Sequence, residues 1–117
     1  NNVVNEELLI LATAASKYTG GGMLIAPDAL KEEKKINLLL AQKANHFDAF
    51  NLLMKVFSGQ HLHHQLVKSS HVKCVKISTS SKNSWASLVY GDGEFLGNLP
   101  VSTSLGNEKL LVLVPKV

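Results

Sequence analysis

The residues best suited to chemistry in this chain are Tyr90-Gly91-Asp92-Gly93-Glu94, set between two apolar runs near the C-terminus. Two carboxylates leaving one short loop can hold a divalent cation or take a proton from a hydroxyl. The glycines permit a sharp turn with positive φ and a close approach of ligand to backbone. Asp-Gly is also a common hairpin dipeptide, and taken alone the motif reads first as an ordinary turn. Gly20-Gly21-Gly22 is a second candidate. Its backbone can offer N–H groups to an anion or leave room for a lipid chain, although no Gly-Lys-Ser/Thr follows as in a Walker loop. His61, His63, His64 and His71 could be metal ligands. No second cluster of zinc-type spacing accompanies them, and they read as a solvated loop. Cys74, the single cysteine, lies in an apolar-periodic segment and reads as an inert core thiol. No nucleophile-elbow motif is present.

The elements that would carry these residues are mostly strands. Glu7 to Ala15 is a nearly continuous apolar run, suiting a strand buried on both faces. Met23 to Ile25 reads as a short strand stopped by Pro27, and Ile36 to Ala41 as another apolar strand. One helix stands out near His46 to Phe57, where Phe47, Phe50, Met54 and Phe57 recur at spacings of three and four. Asn45 suits its N-cap and Gly59 its stop; the Phe stripe is expected to lie on a sheet. A polar, His-rich connection leads to a strand over Val72 to Thr79, whose change of apolar parity suggests a bulge or a strand buried on both faces. Ser80 to Asn83 turns the chain into strands Trp85–Tyr90 and Phe95–Val101. Gly106-Asn107 announces a last one over Lys109 to Val114. The expected fold is mainly antiparallel β with one packed helix.

The 117 residues form one domain large enough to bury a core. No run of apolar residues is long enough to span a membrane. Asn1 to Glu7 has neither a basic nor an apolar segment of the kind a signal peptide needs. The chain opens on Asn1 rather than Met, which reads as a processed product or a piece of something longer. One cysteine excludes an internal disulfide and suits a reducing compartment. A net charge of +3 favours anionic partners such as nucleotide phosphates or acidic lipid. Nucleic acid fits poorly, because the lysines are scattered without an aromatic-basic patch.

The order of motifs resembles the diacylglycerol kinase-like lipid kinases, a family that includes bacterial diacylglycerol kinases and the sphingosine and ceramide kinases. Ser16-Lys17-Tyr18-Thr19-Gly20-Gly21-Gly22-Met23, then Ile25-Ala26-Pro27-Asp28-Ala29, is similar to the family's "N-G-r-y-x-G-G-G-m-x-i-A-P-x-A" stretch. Ser58-Gly59-Gln60-His61-Leu62 resembles its "G-x-H-l", and Asp92-Gly93-Glu94 its "D-G-E" turn. Leu110 to Pro115 resembles the terminal "l-x-v-l-v-P". Four motifs in order at compatible spacing cover roughly Glu7 to Val117.

The resemblance implies a β-rich, sandwich-like lobe over residues 7–117 behind a flexible segment at 1–6, the second domain of a diacylglycerol/NAD kinase-like fold. It implies ATP and Mg²⁺ as cofactors, a lipid hydroxyl as acceptor, and a cytoplasmic protein bound peripherally to a membrane. Glu94 would be the catalytic carboxylate that orients or deprotonates the hydroxyl. Asp92 would contact the nucleotide-Mg²⁺, with Gly91 and Gly93 letting the backbone approach the phosphates. Gly20, Gly21 and Gly22 would help to bind the lipid. The family's Gly-Gly-Asp-Gly-Thr nucleotide loop has no counterpart here, so a first lobe is missing and this chain alone is expected to be inactive. Apolar surface facing that lobe would be left uncovered and would favour a homodimer. An NAD kinase-like enzyme and a noncatalytic binding domain are the alternatives. A further departure concerns the family's "D-D-G-x-l-D", whose oxygens hold a structural cation. Here Glu32-Glu33-Lys34-Lys35-Ile36-Asn37 puts lysine in place of the turn glycine and asparagine in place of the last acid.

Overall fold

In a computed structural model describing residues 2–20, 22–29, 31–107, 111 and 113, the chain is mainly β, with every strand pair antiparallel and one α-helix. Strands β1 (Leu8–Ala14), β2 (Ile36–Gln42) and β3 (Val67–Val72) form one sheet in that order. Strands β4 (Cys74–Ile77) and β7 (Val101–Ser104) form a two-stranded ribbon, and β5 (Leu88–Gly91) and β6 (Glu94–Asn98) form another.

The centre of the first sheet is β2, where Ile36, Leu39 and Leu40 are buried. Register pairs Ala12 and Ser69 with Leu39, and Ala14 and His71 with Asn37, so these residues share one face. The segment between β1 and β2 folds over that face. Its Ala26 and Ala29 join Leu39 in a buried cluster, with Ile25, Leu62 and Val67 packed against it. Expected to be buried on both faces, β1 is instead the sheet edge, and Leu9 and Ile10 are exposed. Continuous apolarity does not separate an edge strand from a central one.

Helix α1 (His46–Val56) lies where the periodicity put it, and the Asn45 side chain accepts a hydrogen bond from Asp48 N at 2.8 Å. The expected packing face is wrong. Leu52 and Val56 are the buried residues, while Phe47, Phe50, Leu53, Met54 and Phe57 are all more than half exposed. The helix is apolar on both sides, and only the edge with Leu52 and Val56 is covered among the described residues. Periodicity finds an apolar stripe without saying what covers it.

Smaller differences have local causes. Met23 to Ile25 is no strand; it is a single bridge, Thr19 with Met23, closed by two 3.0 Å backbone bonds. The His-rich connection is partly ordered as a 3-10 turn at Gln60–His63, and β3 begins within it at Val67. The expected strand over Val72 to Thr79 is broken by a bend at Lys73, where the chain passes from one sheet to the next, and the β4–β7 register runs unbroken from Cys74 to Ile77, with no bulge at the parity change. Trp85 sits in a 3-10 turn, Ser84–Ser87, because the Asn83 side chain accepts from Trp85 N at 3.1 Å. Cys74 is exposed rather than in the core, since it lies on the open face of the β4–β7 ribbon with Sγ 3.5 Å from Ser102 Oγ. The expected strand over residues 109–114 falls, apart from Leu111 and Leu113, outside the described residues. Among the described residues no helix is long and apolar enough to cross a membrane.

Candidate functional site

Asp92 and Gly93 are the two-residue loop of the β5–β6 hairpin, with Gly91 paired to Glu94 across it. Their φ values of +50° and +80° are both in the left-handed region, as a hairpin turn matched to strand twist requires. Aspartate tolerates this conformation better than most residues, and glycine takes it without strain. Behind the turn, Tyr90 and Phe95 pair directly and their rings meet edge to face, 5.7 Å apart at 64°. Such a cross-strand aromatic pair stiffens the arm that carries the turn. A bulge between Val89 and Tyr90 leaves Leu96 over Gly91, where a Cβ would come within 2.7 Å of Leu96 Cδ1. Gly91 is thus bare for packing reasons as well.

Direct pairing puts Glu94 on the same sheet face as Gly91, opposite the aromatic pair. Asp92, Gly93 and Glu94 are exposed, and neither carboxylate is hydrogen-bonded or ion-paired among the described residues. Two free carboxylates at a hairpin tip fit contact with a cation whose remaining ligands come from elsewhere, such as phosphate oxygens. Among the described residues no three acidic, His or Cys side chains cluster to hold a metal by themselves. A groove of about 300 Å³ lined by Lys76, Ile77, Ser78, Pro100, Val101 and Ser102 does not include the turn.

The glycine turn is separate from the hairpin in sequence and in sheet. Gly20 (φ +48°) and Gly22 (φ +106°) are exposed beside the Thr19–Met23 bridge, and Gly21 lies outside the described residues. Nothing among the described contacts joins this turn to Asp92 or Glu94.

The acidic turn before β2 does not fit a divalent cation. Glu32 is taken by an internal cation: Lys35 Nζ lies 2.5 Å from Oε2, and His71 Nδ1 is 3.8 Å from Oε1. The Lys35 hydrogen bond holds the Glu32 carboxyl below the usual carboxylate range. Lys34 adds a second positive charge in a left-handed backbone position, φ +59°. Asn37 is fully buried, donating from Nδ2 to Ser69 Oγ at 3.0 Å, and its Oδ1 has no partner among the described residues. One neutral oxygen beside two lysines is a poor substitute for the anionic oxygens such an ion needs.

Of the four histidines, His63 is exposed as expected, but His61 and His71 are not solvated. His61 is among the most buried side chains, 2% exposed, and its Nε2 lies 2.7 Å from the Ile25 carbonyl oxygen. His71 Nε2 lies 2.7 Å from the Asp28 carbonyl oxygen. Neither belongs to a solvated loop, and no sequence spacing announces a carbonyl partner some forty residues away.

The model of the YegS C-terminal NAD kinase beta sandwich-like domain matches residues 2–114. The chain belongs to that family. The domain is also 30% identical over 97 residues to a diacylglycerol kinase of Mycobacterium tuberculosis (strain CDC 1551 / Oshkosh), a match covering 83% of this chain and 30% of that protein. A diacylglycerol kinase of Staphylococcus carnosus (strain TM300) is 25% identical over 114 residues, 97% of the chain and 36% of the relative. One from Staphylococcus haemolyticus (strain JCSC1435) is 24% identical over 116 residues. The YegS-type domain therefore spans about a third of the length of the curated relatives it matches.

Proposed function

We propose that this domain is the second lobe of an ATP-dependent lipid kinase and contributes Asp92 and Glu94 to a cleft completed by a nucleotide-binding lobe. The observation that carries the reading is the β5–β6 tip. It presents two exposed carboxylates, unengaged among the described residues, on a stiff arm, in a domain whose relatives are named diacylglycerol kinases. In this reading the acceptor hydroxyl gives its proton to Glu94 as its oxygen bonds the γ-phosphorus of ATP, and ADP leaves with the electron pair of the broken P–O bond. Asp92 would contact the cation carried by the nucleotide, and Gly91 and Gly93 would keep the backbone low enough for the phosphates to approach. A nucleotide-bound Mg²⁺ supplies neutralisation of the phosphate charge. Gly20, Gly21 and Gly22 give the lipid room near the backbone. The acceptor is a diacylglycerol or a sphingoid base at the cytoplasmic surface of a membrane, to which the protein binds peripherally. Without a companion lobe there is half a cleft, and the uncovered aromatic face of α1 favours pairing with a second copy.

The test is a transfer assay with γ-labelled ATP on the full-length protein, offered diacylglycerol vesicles, a sphingoid base or NAD in parallel. Label on a lipid, with none transferred by this domain alone, is the expected result. Label on NAD would assign the NAD kinase branch, and no transfer to any acceptor would leave a noncatalytic binding domain.

A further inference from the structure

His61 and His71 take no part in the proposed chemistry, yet both rings reach the same loop. Each Nε2 lies 2.7 Å from a backbone carbonyl, of Ile25 and of Asp28 respectively. A carbonyl oxygen only accepts, so each ring carries a proton on Nε2 and donates it. Gly59, two residues before His61, makes a third contact with this loop. Its φ is +72°, and a Cβ there would fall 2.8 Å from Leu24 Cδ2 and 3.1 Å from Pro27 Cγ. Leu62 packs against the Ala26–Ala29–Leu39 cluster. From Leu24 to Ala29 the loop is thus met by side chains or backbone of residues 59–62 and by β3. Among the described residues its own bonds are few: the Thr19–Met23 pair, the Ile25, Ala26 and Ala29 amides to Met23, Lys17 and Ala26 carbonyls, Ser16 Oγ to the Tyr18 carbonyl, and Lys31 N to the Asp28 carbonyl that His71 also reaches.

We infer that Gly59, His61 and His71 are positioning residues that clamp the loop of residues 16–29 onto the sheet and so fix where the glycine turn stands. His61 clamps by a hydrogen bond made in a dry site, where its loss is costly. Gly59 clamps by allowing van der Waals contact that any side chain would prevent. His71 does so from the sheet, with its other nitrogen toward Glu32. The consequence for binding rests on the proposal that the glycine turn receives the lipid.

Hydrogen exchange tests the clamp without relying on activity. Replacing His61→Leu is expected to speed exchange of the Thr19, Met23, Ile25 and Ala26 amides by about tenfold, the scale of one lost buried hydrogen bond. Exchange in β1 and β2 should stay as in the parent. His61→Gln, whose amide can donate at similar reach, should restore most of the protection. In the full-length protein, His61→Leu should raise the lipid KM with kcat retained, and His61→Gln should not. Unchanged exchange at those four amides, or uniform loosening of β1 and β2, would overturn the inference. So would a Gln variant as loose as the Leu variant, since packing rather than the donated proton would then hold the loop. Local loosening with an unchanged lipid KM upholds the clamp and instead removes the glycine turn from lipid binding.

Discussion

Lys34 occupies a backbone position that suits glycine, with φ +59° just before β2. A left-handed residue with a side chain carries roughly 1–2 kcal/mol of strain, and glycine costs part of that back through a freer unfolded chain. Lys34→Gly is therefore expected to stabilise the protein by about 0.5–1 kcal/mol, measured by urea unfolding. Unchanged or lower stability would mean that the Lys34 side chain makes up for the strain. Glu6 supports a prediction of opposite kind. Lys68 Nζ sits 2.5 Å from its carboxylate, and Gln42 donates to the other oxygen, so its pKa falls below the ordinary 4.5. A depressed carboxylate stabilises fully above its unfolded pKa, and that contribution is lost as pH falls through the folded value. Thermal unfolding followed from neutral into acid should fall less steeply below about pH 4 in Lys68→Met than in the parent. Parallel curves would show that the pair contributes nothing. At this scale the sequence was legible where function is local. The Asp92-Gly93 turn could be read from two adjacent residues, because their φ preferences decide the hairpin. His61 could not be read, because its partner is a carbonyl of Ile25, set by the fold rather than by any neighbour.

Among the elements, α1 separates what periodicity can and cannot settle. Asn45, the apolar spacing and the break before Gly59 place the helix within a residue of where it lies. Its covered edge is decided by what else packs there, and Leu52 and Val56 won over the heavier Phe stripe. The same reason explains β1, whose apolar run resembles a central strand although β2 holds that place. Lys68 to His71 carries little apolar signal, yet it pairs with β2 residue for residue and makes a strand. The energetics should follow the observed faces. Leu52→Ala should cost about 2–4 kcal/mol through the cavity it leaves. Phe47→Ser, at a side chain 77% exposed, should change stability by less than about 0.5 kcal/mol. Chemical denaturation of the two variants decides between them. A larger loss at Phe47 than at Leu52 would mean that the stripe is the packed face after all.

For the whole molecule, the antiparallel β architecture and the membership of the YegS C-terminal domain family agree with the motif order along the chain. Among the described residues the candidate site does not close within this domain. The Asp92–Glu94 tip and the turn bearing Gly20 and Gly22 sit on different strand systems, and Asp92, Glu94, Gly20 and Gly22 are exposed. This is the arrangement expected if the substrate and the nucleotide meet in a cleft whose second wall is another lobe. The measurement that tests this most directly is kcat for lipid phosphorylation by the full-length protein carrying Glu94→Gln. A fall of about 10²–10⁴-fold is expected, with thermal unfolding unchanged, since glutamine keeps the shape but cannot take the hydroxyl proton. A kcat within a few fold of the parent would contradict it and return Asp92-Gly93-Glu94 to an ordinary hairpin turn.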